Sequence, residues 1–243
     1  MANLEDSEGL LRLTAFIVLS VGLIGVEAWR PRRLDANRRG RWPLNLSLAV
    51  TNAIVVRLIA PASGVTFALW AEGRGIGATR LFELPAAIEF AGSVLALDLL
   101  VYAQHRLFHA VPALWSLHRL HHTDRTMDIS TGVRFHPAEI AISTVYKGVW
   151  IVALGVSPAA TVAFELLLSL GSLFSHANIR LGPDRLWQAV VVTPDMHRVH
   201  HSTDVLEQNT NFGFSLSCWD RACGTYRARP AGHHETMPLG VVD

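Results

Sequence analysis

The residues best able to do chemistry in this 243-residue chain are its twelve histidines, and most of them come in clusters. His105-Arg106-Leu107-Phe108-His109 sets two imidazoles four positions apart, while His118-Arg119-Leu120-His121-His122 and His197-Arg198-Val199-His200-His201 repeat one triplet spacing. Positions i and i+4 of a helix share a face, so each cluster presents a pair of imidazoles together, and each triplet adds a third beside the pair. His176, in Ser175-His176-Ala177-Asn178, emerges from an apolar stretch level with these clusters and is a ninth candidate ligand. Neutral imidazole suits zinc, copper, iron and nickel alike, so residue type does not choose the metal. Number is more selective: a mononuclear zinc site takes four protein ligands or fewer, whereas nine imidazoles supply two metals with about four each. The metalloprotease helix motif His-Glu-x-x-His is absent. Two metals next to a bilayer point to reductive activation of dioxygen and attack on an unactivated C–H bond of a lipid.

Other polar residues stand near these clusters. Asp98, Tyr102, His105 and His109 fall at i, i+4, i+7 and i+11, one helical stripe. A ligating imidazole donates its second N–H to an acceptor, so Asp98 could fix a ligand's tautomer directly or through Tyr102, or could simply pack between helices. His136, in Arg134-Phe135-His136-Pro137, is either a ligand or a helix-entry residue, and His233 and His234 in the polar tail after Pro230 are expected to be solvated. Asp195, Asp204, Asn211 and Asp220 flank the third cluster, with orientation of ligands and packing both open to them. Trp219-Asp220-Arg221 and Gly224 read as a structural turn that locks a cap.

The elements that must position these groups are membrane helices. Half of the residues are apolar and 17% are charged, against about a quarter in soluble domains. The run Leu13–Trp29 is broken only by Glu27 and is just long enough to span; the acidic residues before it, Glu5, Asp6 and Glu8, argue for a retained helix rather than a cleaved signal. A second apolar region, 44–70, carries Arg57 and Pro61 and is the weakest span; 84–103 crosses again, and 140–174 suits a hairpin turning at Gly155-Val156-Ser157-Pro158. Six arginines, Arg30, Arg32, Arg33, Arg38, Arg39 and Arg41, follow the first span and by the positive-inside rule face the cytoplasm. Counting crossings from that loop puts every histidine on the cytoplasmic side.

The reading is a single membrane-embedded domain. Its parts are N-terminal spans (1–103), a cytosolic segment with the first two clusters (104–138), a hairpin (139–175) and a cytosolic segment with the third cluster and the tail (176–243). A net charge of +1 excludes a dedicated nucleic-acid binder, and Cys218 and Cys223 are too few for a disulfide framework. The basic residues are twenty Arg and a single Lys, Lys147.

Over about residues 84–228 the order, spacing and flanks of these motifs resemble the fatty acid hydroxylase superfamily, or sterol desaturase family, of membrane-bound di-iron oxygenases. The matching residues are Asp98 with Tyr102, His105 to His109, Leu114-Trp115-Ser116-Leu117-His118 through His122, and Arg134-Phe135-His136-Pro137. They continue with His176-Ala177-Asn178, Thr193-Pro194-Asp195-Met196-His197 through His201, Asn211-Phe212-Gly213, and Trp219-Asp220-Arg221 leading to Gly224-Thr225-Tyr226.

The resemblance implies an all-α integral membrane protein of four to five transmembrane helices with a cytosolic histidine-rich helical cap. It implies two Fe ions at the join, O2 as co-substrate, a membrane lipid as substrate, and an external electron donor of cytochrome b5, ferredoxin or rubredoxin type, there being no haem, flavin or iron–sulfur motif. The expected location is a bacterial inner membrane with the site on its cytoplasmic face. The family's acyl 2-hydroxylases have two histidines where this chain has His176 alone, and Asn178 or a water stands in there. Hydroxylation and desaturation share their first hydrogen abstraction and are not separated by sequence. A metal carrier would line mid-bilayer with histidine, and a zinc hydrolase would work without oxygen.

Overall fold

The computed structural model describes residues 2–34, 37–59 and 64–241, leaving Pro61 of the second apolar region and Asp35 of the arginine loop outside the described residues; the side chains of Glu5, Asp6 and Glu8 lie outside them too. Five stretches are long and apolar enough to cross a membrane: Gly9–Trp29, Arg38–Leu81, Ala86–Ala110, Pro137–Leu154 and Pro158–His176. Helix α1 (Ala2–Trp29) supplies the first. In the second, α2 (Arg38–Ile59) alone is about 33 Å long and reaches across, while α3 (Gly64–Gly73), about 15 Å, covers half the depth. Arg57 lies exposed near the end of α2. Helices α4 (Ala86–Ala110), α6 (Pro137–Leu154) and α7 (Pro158–His176) supply the rest, and α5 (Pro112–His122) follows α4 outside the apolar region. The remaining helices are short: α8 (Asp184–Trp187), α9 (Pro194–His200), α10 (Val205–Gln208) and α11 (Cys218–Ala222). The described residues contain no strand, only isolated bridges.

Local chemistry sets the boundaries. Proline stands at the first turn of α5, α6 and α7, where its missing N–H costs nothing. Gly155 ends α6 at φ +70, a left-handed cap, and its backbone lies against Gly77 so closely that a Cβ at either residue would overlap the other. Leu97, Val101, Ile151 and Phe164 join α4, α6 and α7 in one apolar core, while Leu23, Ile129, Leu173 and Ala177 join α1 to α7. Val18, Leu58, Ile88 and Val149 stay exposed, as side chains facing lipid must.

The arginine loop makes specific bonds to buried carboxylates. Arg41 reaches Asp124 at 2.6 Å and Asp128 at 2.6 Å, and Arg38 reaches Glu27 at 2.7 Å, all three carboxylates being buried. Glu27, the one break in the first apolar run, also accepts from the backbone N–H of Ile129 (2.9 Å) and Asn178 (2.7 Å). Arg33 N–H donates to Asn178 Oδ1, and Arg32 pairs with Asp195 at 3.0 Å. These bonds place the loop at the same end as all the histidine clusters. The far end holds the α6–α7 turn and the start of α4, where Glu89 accepts from Ser157 N–H.

Candidate metal centre

Helices α4, α5, α7 and α9 all point their cluster-bearing ends into one volume. Two groups of imidazole nitrogens result: His105, His109, His118, His122 and His200 form one, and His121, His176, His197 and His201 the other, with the nitrogens of each group within 4.8 Å of one another. The triplets divide between them. His118 and His122 (i, i+4) go to the first group and His121 to the second; His197 and His201 go to the second and His200 to the first. One turn of helix thus serves both groups, because i+3 and i+4 lie about 100° apart around the axis. The groups abut, with the rings of His122 and His201 stacked at 4.4 Å.

The hydrogen bonds fix which nitrogen looks inward. His105 Nδ1 donates to the Phe212 carbonyl (2.7 Å), His121 Nδ1 to Arg134 (3.1 Å), His176 Nδ1 to Ser172 (2.6 Å) and His200 Nδ1 to Thr210 (2.8 Å). His118 Nδ1 donates to the Glu139 carboxylate at 2.7 Å. A carbonyl only accepts, so in the neutral ring the proton sits on Nδ1 and Nε2 keeps a bare lone pair. Those lone pairs face each other: His105 and His118 Nε2 are 3.0 Å apart, His200 and His105 3.1 Å, His176 and His121 3.0 Å. His201 has both ring nitrogens buried without a partner, and His109 Nε2 is likewise unpaired. Burial, and then the repulsion of neighbouring imidazoles, holds His121, His122, His197 and His201 well below the usual imidazole pKa and takes His200 down to about 3. Neutral lone pairs crowded together are relieved by a bound cation, so the residues present fit two metal ions.

Other candidate residues fall elsewhere. His136 is not in either group: it caps α6, its Nδ1 accepting from Ala138 N–H at 3.1 Å, because the preceding turn aims it away from the centre. Asp98 accepts from Trp219 Nε1 (2.8 Å) and Tyr102 hydrogen-bonds Thr225 (2.8 Å), so the stripe they form with His105 ties α4 to the turn around α11 instead of touching an imidazole. Asn178 binds the Arg33 backbone, and Asp195 binds Arg32 and the fully buried Arg198; both hold the arginine loop against α7 and α9. Asp204 caps α10. His233 is exposed, but His234 is largely covered near Asp195, contrary to the solvated tail expected for it.

One residue that the motif spacing did not single out, Glu139, and two for which it left an orienting role open, Asn211 and Asp220, belong to the centre. Glu139 is the one carboxylate bonded to a cluster imidazole among the described residues, and its signal was a lone acid in the first turn of a membrane helix. Asp220 accepts from the N–H of Phe212 (2.8 Å) and Gly213 (2.9 Å), and Asn211 adopts φ +54; together they aim the Phe212 carbonyl at His105.

A tunnel of about 790 Å³ leads from His105 and His118 between α1, α2, α4, α6 and α7. Phe16, Val50, Val56 and Leu168 give it apolar walls. It meets the first group of imidazoles only.

A family model described as fatty acid hydroxylase matches residues 90–225. The chain is similar to the ornithine lipid hydroxylase OlsE of Rhizobium tropici, 35% identical over 159 residues, which are 61% of this chain and 44% of that protein. It is similar to the alkylglycerol monooxygenase of Homo sapiens, 29% identical over 153 residues (61% and 33%). The sphingolipid C4-hydroxylase sur2 of Schizosaccharomyces pombe is 26% identical over 147 residues (60% and 50%). The matches span half or less of these relatives' own length. No solved structure gives a significant match.

Proposed function

We propose, for a chain that belongs to the fatty acid hydroxylase family, that it is an oxidoreductase hydroxylating an unactivated C–H bond of a membrane lipid with two irons and O2. The observation that carries this reading is the meeting of a lipid-sized, largely apolar tunnel with nine imidazoles in two groups. His105, His109, His118, His122 and His200 would hold one ion, and His121, His176, His197 and His201 the other. The donor set is all imidazole, which suits iron among other ions. Bound irons supply the reductive activation of dioxygen.

The chain's own residues do the remaining work. Glu139 and four backbone carbonyls keep the ligand rings in one tautomer and orientation. The largely apolar tunnel would hold a lipid chain with one of its carbons beside His105 and His118. Hydroxylation is favoured over desaturation because the relatives are named as lipid hydroxylases and a monooxygenase. Electrons come from an external carrier of cytochrome b5, ferredoxin or rubredoxin type. By the positive-inside rule the arginine-rich end, and the centre with it, faces the cytoplasm, and the membrane in this reading is a bacterial inner membrane.

The test is iron-loaded protein in lipid discs, given a reductant, 18O2 and extracted membrane lipids. A product carrying one 18O atom, with about two irons per chain as the count of ligand groups requires, supports the reading. Tightly held zinc, or turnover that persists without oxygen, overturns it.

A further inference from the structure

The single lysine of the chain lies inside the tunnel. Twenty basic positions are Arg, and only position 147, in the middle of α6, is Lys. An ionisable side chain within a membrane span marks a substrate path more often than a packing role. Lys147 lines the cavity together with Ser143 and Glu139, at i−4 and i−8, so one face of α6 is polar from the metal centre to mid-membrane. Across the cavity, α7 answers with Ser172 and Ser169. The wall from α1 and α2 is apolar except for Asn52, whose amide donates to the Phe135 carbonyl near the histidine end. The tunnel is therefore two-faced along its length, which a plain hydrocarbon chain does not need.

The neighbouring carboxylate does not neutralise this lysine. Glu165, at the same depth on α7, is paired with Arg12 of α1. Among the described residues Lys147 has no hydrogen bond or ion pair, and Glu165 acts on it only from a distance. A lysine ammonium is a compact charge on a flexible stem, and on α6 that stem leans towards the helix N-terminus, hence towards the histidines. Eight residues separate Lys147 from Glu139, the partner of His118, a rise of about 12 Å.

We propose that the deep part of the tunnel is an oxyanion subsite, where Lys147, with Ser143 beside it, receives a carboxylate or phosphate carried by the bound lipid. Anchored there, the lipid has a fixed register, and the number of bonds from its anion to His105 and His118 decides which carbon reacts. The subsite deepens the lipid reading above and rests on it for the kind of molecule in the tunnel.

The experiment measures binding without turnover. Palmitate, hexadecyl phosphate and hexadecanol are titrated anaerobically, without reductant, into iron-loaded protein and read by displacement of radiolabelled palmitate. One charge-assisted bond predicts that one or both anions bind about tenfold or more tighter than the alcohol. The tighter of the two identifies carboxylate or phosphate. Lys147→Met brings all three within about twofold, and Lys147→Arg restores a preference for the anion, which separates charge recognition from misfolding. Equal affinity for alcohol and both anions in the unaltered protein overturns the subsite, as does an anion preference that survives Lys147→Met. Failure of the hydroxylase reading leaves this result standing, because no product is measured.

Discussion

Five of the nine clustered imidazoles are readied to bind a metal by a partner that holds the other ring nitrogen. Glu139 does so for His118, and carbonyls of Phe212, Arg134, Ser172 and Thr210 do so for four more rings. Glu139→Gln is expected to weaken iron binding by about 10–100-fold, measured by competition with a chelator, while the protein still inserts. Unchanged affinity would show that Glu139 only packs. His121→Ala and His200→Ala remove one ligand from different groups, so each alone is expected to abolish turnover with the chain still in the membrane; appreciable activity in either variant contradicts a site that needs both groups. The nine imidazoles were legible in the spacing of the chain. The carbonyl acceptors were not, since any residue carries one and no side chain announces it.

At the scale of helices, the structure depends on two close contacts far apart. At the far end, Gly155 sits at φ +70 with Gly77 against it. Gly155→Ala combines a disfavoured backbone with a steric overlap, and is expected to cost about 1–3 kcal/mol, read as a lower thermal midpoint in detergent. At the metal end, Arg41 joins α2 to the segment after α5 through Asp124 and Asp128. Arg41→Ala removes the close cation from two buried carboxylates, leaving Asp124 its hydrogen bonds from Asn45 and Thr131 and Asp128 the longer contact to Arg38, and is expected to cost about 3 kcal/mol. Arg57→Ala, on an exposed part of α2, is expected to leave the midpoint unchanged; equal effects of the two variants would rule out the latch. The run of arginines was legible as a topological signal, and its count of crossings agrees with five apolar stretches. Its bonds to Glu27, Asp124, Asp128 and Asp195 were not, because the partners lie up to 163 residues away.

For the whole molecule, the cost of gathering neutral imidazoles appears as a dependence on pH. Burial holds the pKa of His200 at about 3 and those of His121, His122, His197 and His201 well below their usual value. Unfolded, each would titrate near 6.5. Below that pH the unfolded chain binds more protons than the folded one, so acid favours unfolding; above it the two states bind alike. Metal-free protein is therefore expected to melt at a constant temperature above about pH 7 and at falling temperatures as the pH drops through 6 towards 4. A flat profile across that range would mean that the rings are not buried as a neutral cluster. Bound metal would resist the same acid down to a lower pH, because protons and ions compete for the same lone pairs.

What the chain's letters determined alone was which residue types recur at helical spacing, and which stretches are too apolar for water. Those are local properties, set by side-chain chemistry and a periodicity of 3.6 residues, and they located the clusters, the spans and the shared end. The division of the histidines into five and four, the exclusion of His136, and the turning of Asp98 and Tyr102 towards Trp219 and Thr225 were decided only by tertiary structure. So was the placing of Lys147 in the tunnel. Each depends on how helices distant in sequence rotate and tilt against one another, and packing across the whole bundle sets that rotation.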